Sequence, residues 1–183
     1  MTNRVPGHSG CVGKRFSRNA VEQLFRRGER QEPSDLRSEI LHADPTTLGF
    51  SPSGGHLLWG AVMDMAFPDG AASLVSLVDG TTSLYTSTGG GVIGGGAHAS
   101  VVEATNTFLD IVGQHLSELE EGALDDLPTA GTVRFHTLGF DGRRMADAPE
   151  TDLQQRTHPL WPLYYAGHEV ITALRIATEG DGA

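Results

Sequence analysis

Apolar residues fall on every second position from 57 to 67, where Trp59, Ala61, Met63, Met65 and Phe67 alternate with smaller or polar neighbours. A two-residue period is that of a strand with one face buried, so 57–67 reads as a first strand. Pro68, Asp69 and Gly70 make a turn, and the β-branched and apolar run 72–78 reads as a second strand. Asp79-Gly80 then supplies a tight hairpin. The pair points to a type I′ turn, whose two central residues both need positive φ. Residues 81–86 return as a third strand, with Leu84 facing away from Ser83 and Tyr85. The period changes over 97–119, where Val101, Ala104, Phe108, Ile111, Val112 and His115 follow helical spacing. A fourth strand, 132–138, a turn at Asp141-Gly142 and a short return over 143–146 follow. Residues 159–176 read as a second long helix, entered at Pro162, with Trp161, Tyr164, His168, Ile171 and Leu174 along one stripe. Upstream, Ser34 is suited to cap a helix over 35–42 that carries Leu36, Ile40 and Leu41 and is stopped by Pro45. The order is helix, three strands, helix, two strands, helix. It predicts an α+β domain with a single antiparallel sheet of about five strands and helices packed mainly on one face.

Charge divides the chain differently from its total of −10. Residues 1–37 hold eight basic and four acidic residues, net +4, while the remainder holds five basic and nineteen acidic, net −14. Residues 1–33 therefore read as a basic arm, disordered or an overcalled start, with one short amphipathic segment over 19–27 that carries Val21, Leu24 and Phe25 on one side. Its other reading is a tail for RNA, DNA or an acidic partner, with docking of Arg26 and Arg27 onto the acidic domain a further option. Residues 34–178 form the domain, and 179–183 a disordered tail. No Lys or Arg lies between Arg37 and Arg134, which disfavours nucleic-acid binding by the domain, since such binding rests on neutralising backbone phosphates. No window approaches the run of about 20 apolar residues that spans a bilayer, and the first residues lack the apolar core of a secretory signal. A cytoplasmic location is expected. Cys11 is the single cysteine, so neither a disulfide framework nor a Cys-rich zinc site is expected.

Two triplets, Gly89-Gly90-Gly91 and Gly94-Gly95-Gly96, precede the first long helix. A glycine loop at a helix start can hold an anion on its free amides, which nominates Ser87, Gly94, Gly95, Gly96, His98 and Ser100 as ligand-binding residues. The competing reading is geometric: glycine is needed where a strand turns sharply and a helix lies close to the sheet. No Lys follows the loop as in a phosphate-binding P-loop, and Gly-Val-Ile-Gly-Gly-Gly misses the dinucleotide-binding spacing. His168-Glu169 lacks the second histidine of a zinc-protease helix, because Thr172 stands there. The eight histidines are scattered, and neither metal nor cofactor is expected. Asp64 sits among Met63, Met65 and Phe67. Alternation puts it on the exposed face; buried, it would need a partner and would become a candidate functional carboxylate. Trp161, Tyr164 and Tyr165 with Leu160 and Leu163 make the densest aromatic patch, read as core, with Trp161 or Tyr165 available to a partner if they face outward.

The run Leu74-Val75-Ser76-Leu77-Val78-Asp79-Gly80-Thr81-Thr82-Ser83-Leu84-Tyr85, with Ser87 and both glycine triplets, resembles an uncharacterised bacterial protein family, as does Trp59-Gly60-Ala61-Val62-Met63-Asp64-Met65. That resemblance covers about half the chain from Trp59 and implies a shared fold without an established activity; its pattern has Glu at the place of Asp64. In architecture the order of elements also resembles roadblock, longin and profilin-type modules, which implies dimerisation or scaffolding. The sequence thus points to a non-catalytic interaction domain that self-associates or docks a protein partner through its sheet edge or the helix from Ala97. The alternative is a domain that binds a nucleotide, phosphate or carboxylate at the glycine loop.

Overall fold

In a computed structural model, residues 33–52, 57–92 and 94–180 are described. The amphipathic segment over 19–27, His8, Cys11 and His56 lie outside them. The chain forms α1 (Pro33–Leu41), β1 (Leu58–Phe67), β2 (Gly70–Leu77), β3 (Thr82–Thr86), β4 (Gly91–Val92), α2 (Ala99–Gln114), β5 (Glu120–Glu121), β6 (Thr132–Gly139), β7 (Arg143–Pro149), α3 (Glu150–Gln154) and α4 (Trp161–Gly180), with single 3₁₀ turns at Gly95–Ala97 and Leu116–Glu118. One antiparallel sheet runs in the order β4-β3-β2-β1-β6-β7-β5. The architecture is the expected α+β sheet. The strand count rises from five to seven because two-residue strands, β4 and β5, pair along the outer edges of β3 and β7. A pair of residues carries no periodicity from which it could be read.

The two long helices lie together on one face. Met63 and Leu74 from the sheet, Val101 and Phe108 from α2, and Leu163, Val170 and Leu174 from α4 form one buried cluster. Gly167 lets α4 come close, since a Cβ there would stand 2.5 Å from Met63 Cε. Of the expected stripe Tyr164 and Leu174 are buried in this core, together with Leu163 and Val170, while Trp161 and His168 are half-buried on the flanks of the helix. The opposite face is covered as well. Leu36, Ile40 and Leu41 of α1, with Leu48 and Phe50 of the segment after it, pack on Trp59, Val62, Val75 and Leu77. A nine-residue helix is marginal alone, so α1 depends on this contact.

Two local expectations are corrected. Trp59 does not share a face with Ala61 and Met63; it stacks on Phe50 at 5.7 Å on the α1 side. The register between β1 and β6 slips between Leu58 and Gly60, and a bulge of one residue reverses the parity of everything before it. The Asp79-Gly80 hairpin is not type I′: Gly80 has φ +86, but Asp79 does not have positive φ. Gly80 N–H donates to Leu77 O at 3.0 Å, and Leu77 N–H to Thr81 O at 2.9 Å. That is a type I turn closed by a left-handed glycine, the three-residue hairpin loop with its bulge. Asp79 needs no left-handed backbone and instead accepts the Thr81 N–H on Oδ1 at 2.9 Å.

Candidate docking surface

The residues nominated around the glycine loop separate along β3. Gly95 and Gly96 lie against the Gly80–Thr82 end. A Cβ on Gly95 would stand 2.3 Å from Leu174 Cδ2 and 3.3 Å from Thr82 O, and one on Gly96 2.9 Å from Gly80 O. Ser87 lies at the other end of the strand, where its Oγ accepts the Ala71 N–H at 2.8 Å. Five residues of strand, about 16 Å, stand between them, so Ser87 is not gathered with Gly94, Gly95, Gly96, His98 and Ser100. Gly94 takes φ +88, a left-handed conformation that favours glycine. Close packing of the loop on α4 and on the β2–β3 turn accounts for Gly95 and Gly96 without a ligand.

Asp64 is buried, contrary to the alternation reading, with 0% exposure. It belongs to a row that crosses the α1 face at a single register level: Asp147, Arg134, Asp64, Ser73 and Tyr85 are successive partners across β7, β6, β1, β2 and β3. Arg37 of α1 reaches down to it. Its Nε donates to Asp64 Oδ1 at 2.9 Å and its Nη2 to Oδ2 at 2.5 Å, while Ser73 Oγ donates to Oδ1 at 2.6 Å. His136 Nε2 lies 3.2 Å from Oδ2. With the proton on Nε2 the imidazole donates to the carboxylate, and Nδ1, which has no partner among the described residues, is a bare acceptor. The 3.4 Å approach of Arg37 Nη2 to Nε2 is then a packing contact, because one nitrogen cannot both give and receive. Burial pushes the Asp64 pKa up, but hydrogen bonds from His136, Arg37 and Ser73 and the charge of Arg37 outweigh it and hold the group below the ordinary carboxylate range.

The same arginines fasten a loop. Arg37 Nη1 donates to Asp125 O at 2.5 Å and Arg134 Nη1 to Asp126 O at 2.7 Å, while Arg134 grips Asp147 through both carboxylate oxygens at 2.6 and 2.7 Å. The Asp125 carboxylate accepts from Arg143 at 3.0 Å and pairs with His42 Nε2 at 3.1 Å. Asp64, Ser73 and His136 resemble a catalytic trio by composition alone. Both oxygens of Asp64 are already occupied, and none of the three side chains is open to a substrate, with exposures of 0%, 5% and 1%. The cluster is a bolt between α1, the sheet and the 125–126 segment.

The accessible feature lies on the other side, between α2 and α4. Ala104 and Ile111 from one helix and Trp161, Tyr165, Ala173 and Ile176 from the other line a groove of about 680 Å³. Ile176 is 60% exposed, whereas Leu163, Val170 and Leu174 of the same helix are buried. At one end Arg156 stacks on the rings of Trp161 and Tyr165, 5.0 and 4.8 Å from their centroids. Its backbone is left-handed, with φ +60, the only non-glycine residue so placed among those described. The rim is acidic: Glu103 and Glu169 border the groove, α2 carries no Lys or Arg, and Arg175 of α4 is paired with Glu179 at 3.2 Å. The aromatic patch is visible in the sequence, whereas the groove needs the packing of α2 beside α4.

Among the described residues no group of three or more His, Cys, Asp or Glu is placed to hold a metal ion, and no helix is long and apolar enough to cross a membrane. Comparison with protein-family models, with curated proteins and with solved structures finds no match for this chain.

Proposed function

We propose that this domain is a protein-docking module whose working surface is the α2/α4 groove and whose occupant is a basic amphipathic helix of a protein. The groove carries the proposal: an apolar floor with Trp, Tyr and Arg at one end is the chemistry of interface anchors, and a helix laid in such a groove presents residues at i, i+3 and i+4. The Glu103 and Glu169 rim selects cations and repels phosphate. Two other routes are weaker. The outer edges of the sheet end in two-residue strands, β4 and β5, and so short an edge is poor ground for strand addition. The glycine loop is explained by its own packing against Leu174 and Gly80.

The test is a titration of the full chain with a 14-residue Lys/Leu amphipathic peptide, with a Glu/Leu peptide of the same pattern as control, read by tryptophan emission. Saturable binding of the basic peptide alone is expected, weakened roughly tenfold or more in Ile176→Asp and in the Glu103→Lys/Glu169→Lys double variant. Equal binding of both peptides, or indifference to Ile176→Asp, would remove the groove from consideration.

A further inference from the structure

The chain itself contains a segment of the kind the groove fits. Residues 1–32 carry seven basic and three acidic residues, net +4, against −14 for residues 33–183. Within them Val21, Leu24 and Phe25 stand at i, i+3 and i+4, flanked by Arg18, Arg26 and Arg27. On a helix that pattern presents one apolar stripe with Arg18 on one side and Arg27 on the other, and with Glu22 between Arg18 and Arg26. The groove offers the complement: Ala104, Ile111, Trp161 and Ile176 for the stripe, and Glu103 and Glu169 for the cations. Resting on the docking reading above, we infer that residues 19–27 of one chain occupy the α2/α4 groove of a second copy.

Chain length decides between a chain's own groove and that of a neighbour. Only residues 28–32 separate Arg27 from Pro33, the first residue of α1. Fully extended, the six steps from 27 to 33 reach about 20 Å. α1 packs on the sheet face opposite α2 and α4. Each layer stands about 10 Å from the sheet, so the straight path through the sheet already uses that length, and the path round its edge is longer. The segment therefore cannot seat in its own groove and has to reach that of another molecule. Direct pairing of two α2/α4 faces, in contrast, would bring the acidic rims of both copies together.

The experiment uses the full chain. Light scattering at micromolar concentration is expected to give twice the 19.4 kDa of the monomer, and either Leu24→Asp/Phe25→Asp or Ile176→Asp is expected to halve that mass without changing the thermal midpoint by more than a few degrees. Mixing the two variants, one with an intact groove and the other with an intact segment, is expected to restore a dimer. A monomeric parent chain, a dimer that survives Leu24→Asp/Phe25→Asp, or a failure to complement would each overturn the inference. A synthetic peptide of residues 17–30 separates this from failure of the docking reading. If it binds the Leu24→Asp/Phe25→Asp protein saturably, and loses roughly tenfold or more in the presence of Ile176→Asp, the groove stands even when the parent chain is monomeric. If it does not bind, the groove reading falls with the inference.

Discussion

Met63 and Asp64 are neighbours on β1, both with 0% exposure, and the two sides of the sheet meet through them by different chemistry. Met63 faces α2 and α4, in one core cluster with Leu74 and Leu163 and beside the open position at Gly167. Asp64 faces α1, where it accepts hydrogen bonds from Arg37, Ser73 and His136. Apolar contacts tolerate any arrangement of suitable volume. A buried carboxylate tolerates only one in which its donors are present. The long helices rest on apolar burial, whereas the short helix adds a buried charge pair to its apolar contacts.

The largest expected effects test that difference directly. Asp64→Asn leaves Arg37 buried without a counter-charge, and Arg37→Met leaves Asp64 without a cation; each is expected to cost about 3–5 kcal/mol in urea unfolding. Met63→Leu, one residue away, keeps volume and polarity and is expected to cost less than about 1.5 kcal/mol. The Arg37→Met/Asp64→Asn double variant buries no net charge, so its loss is expected to fall short of the sum of the singles by about 2 kcal/mol. Additive losses, or a Met63→Leu variant as weak as Asp64→Asn, would show that both faces are held in the same way.

Protons probe the same pair without mutation. The folded pKa of Asp64 lies below its unfolded value near 4, so the stability it contributes is complete above that value and is lost as pH falls through the folded pKa. Acid unfolding of the parent chain is therefore expected to steepen below about pH 4. In the Arg37→Met/Asp64→Asn variant that component should be absent. Equal slopes in the two proteins between pH 4 and 2 would mean that other carboxylates carry the acid transition.

A smaller effect belongs to the apolar side. Gly95 has no left-handed backbone to protect, so its substitution tests packing alone. A Cβ there meets Leu174 Cδ2 at 2.3 Å, and Leu174 is itself buried. Gly95→Val is expected to cost about 1–3 kcal/mol as an overpacked core. In a thermal-shift comparison it should respond to phosphate or nucleotide no differently from the parent chain. Stabilisation of the parent chain by either ligand, lost in Gly95→Val, would return the loop to the functional candidates.

The strands, the hairpin and the helices over 99–114 and 161–180 were legible because Val101, Phe108 and Val112, or Leu74 and Val75, carry their period locally. Trp59 was assigned to the wrong face because the bulge depends on its register with β6, which no residue of β1 announces. Asp64 was read as exposed because a strand pattern does not reveal that a distant nine-residue helix covers the second face. Arg37 lies in the helix expected over 35–42, yet nothing in the sequence pairs it with Asp64, whose buried carboxylate it holds. The stripe on α4 is legible at Tyr164 and Leu174, but Gly167, with no side chain to mark it, is a position that approaches Met63. The Trp161–Tyr165 patch is legible in composition, but which of its rings line a groove is set by the packing of α4 beside α2.

The smallest expected effect lies at the joint between the apolar core and the docking groove. His168 sits on the flank of α4 with its ring 4.3 Å from that of Tyr164, and its Nε2 has no hydrogen-bond partner among the described residues. Tyr164 in turn donates to Glu150 at 3.0 Å. Burial lowers the His168 pKa below its usual 6.5, with Glu150 pulling weakly the other way. The folded chain thus prefers the neutral ring, and the unfolded chain takes up the proton first. Stability is expected to decline as pH falls from about 6.5 toward the folded pKa and to change no further below it. Because the ring is partly solvated, the loss should stay under about 1 kcal/mol. His168→Gln removes the titration while keeping a polar side chain, so unfolding free energies at pH 7 and pH 5 should differ less in the variant than in the parent chain. An unchanged difference would place that pH dependence on another group.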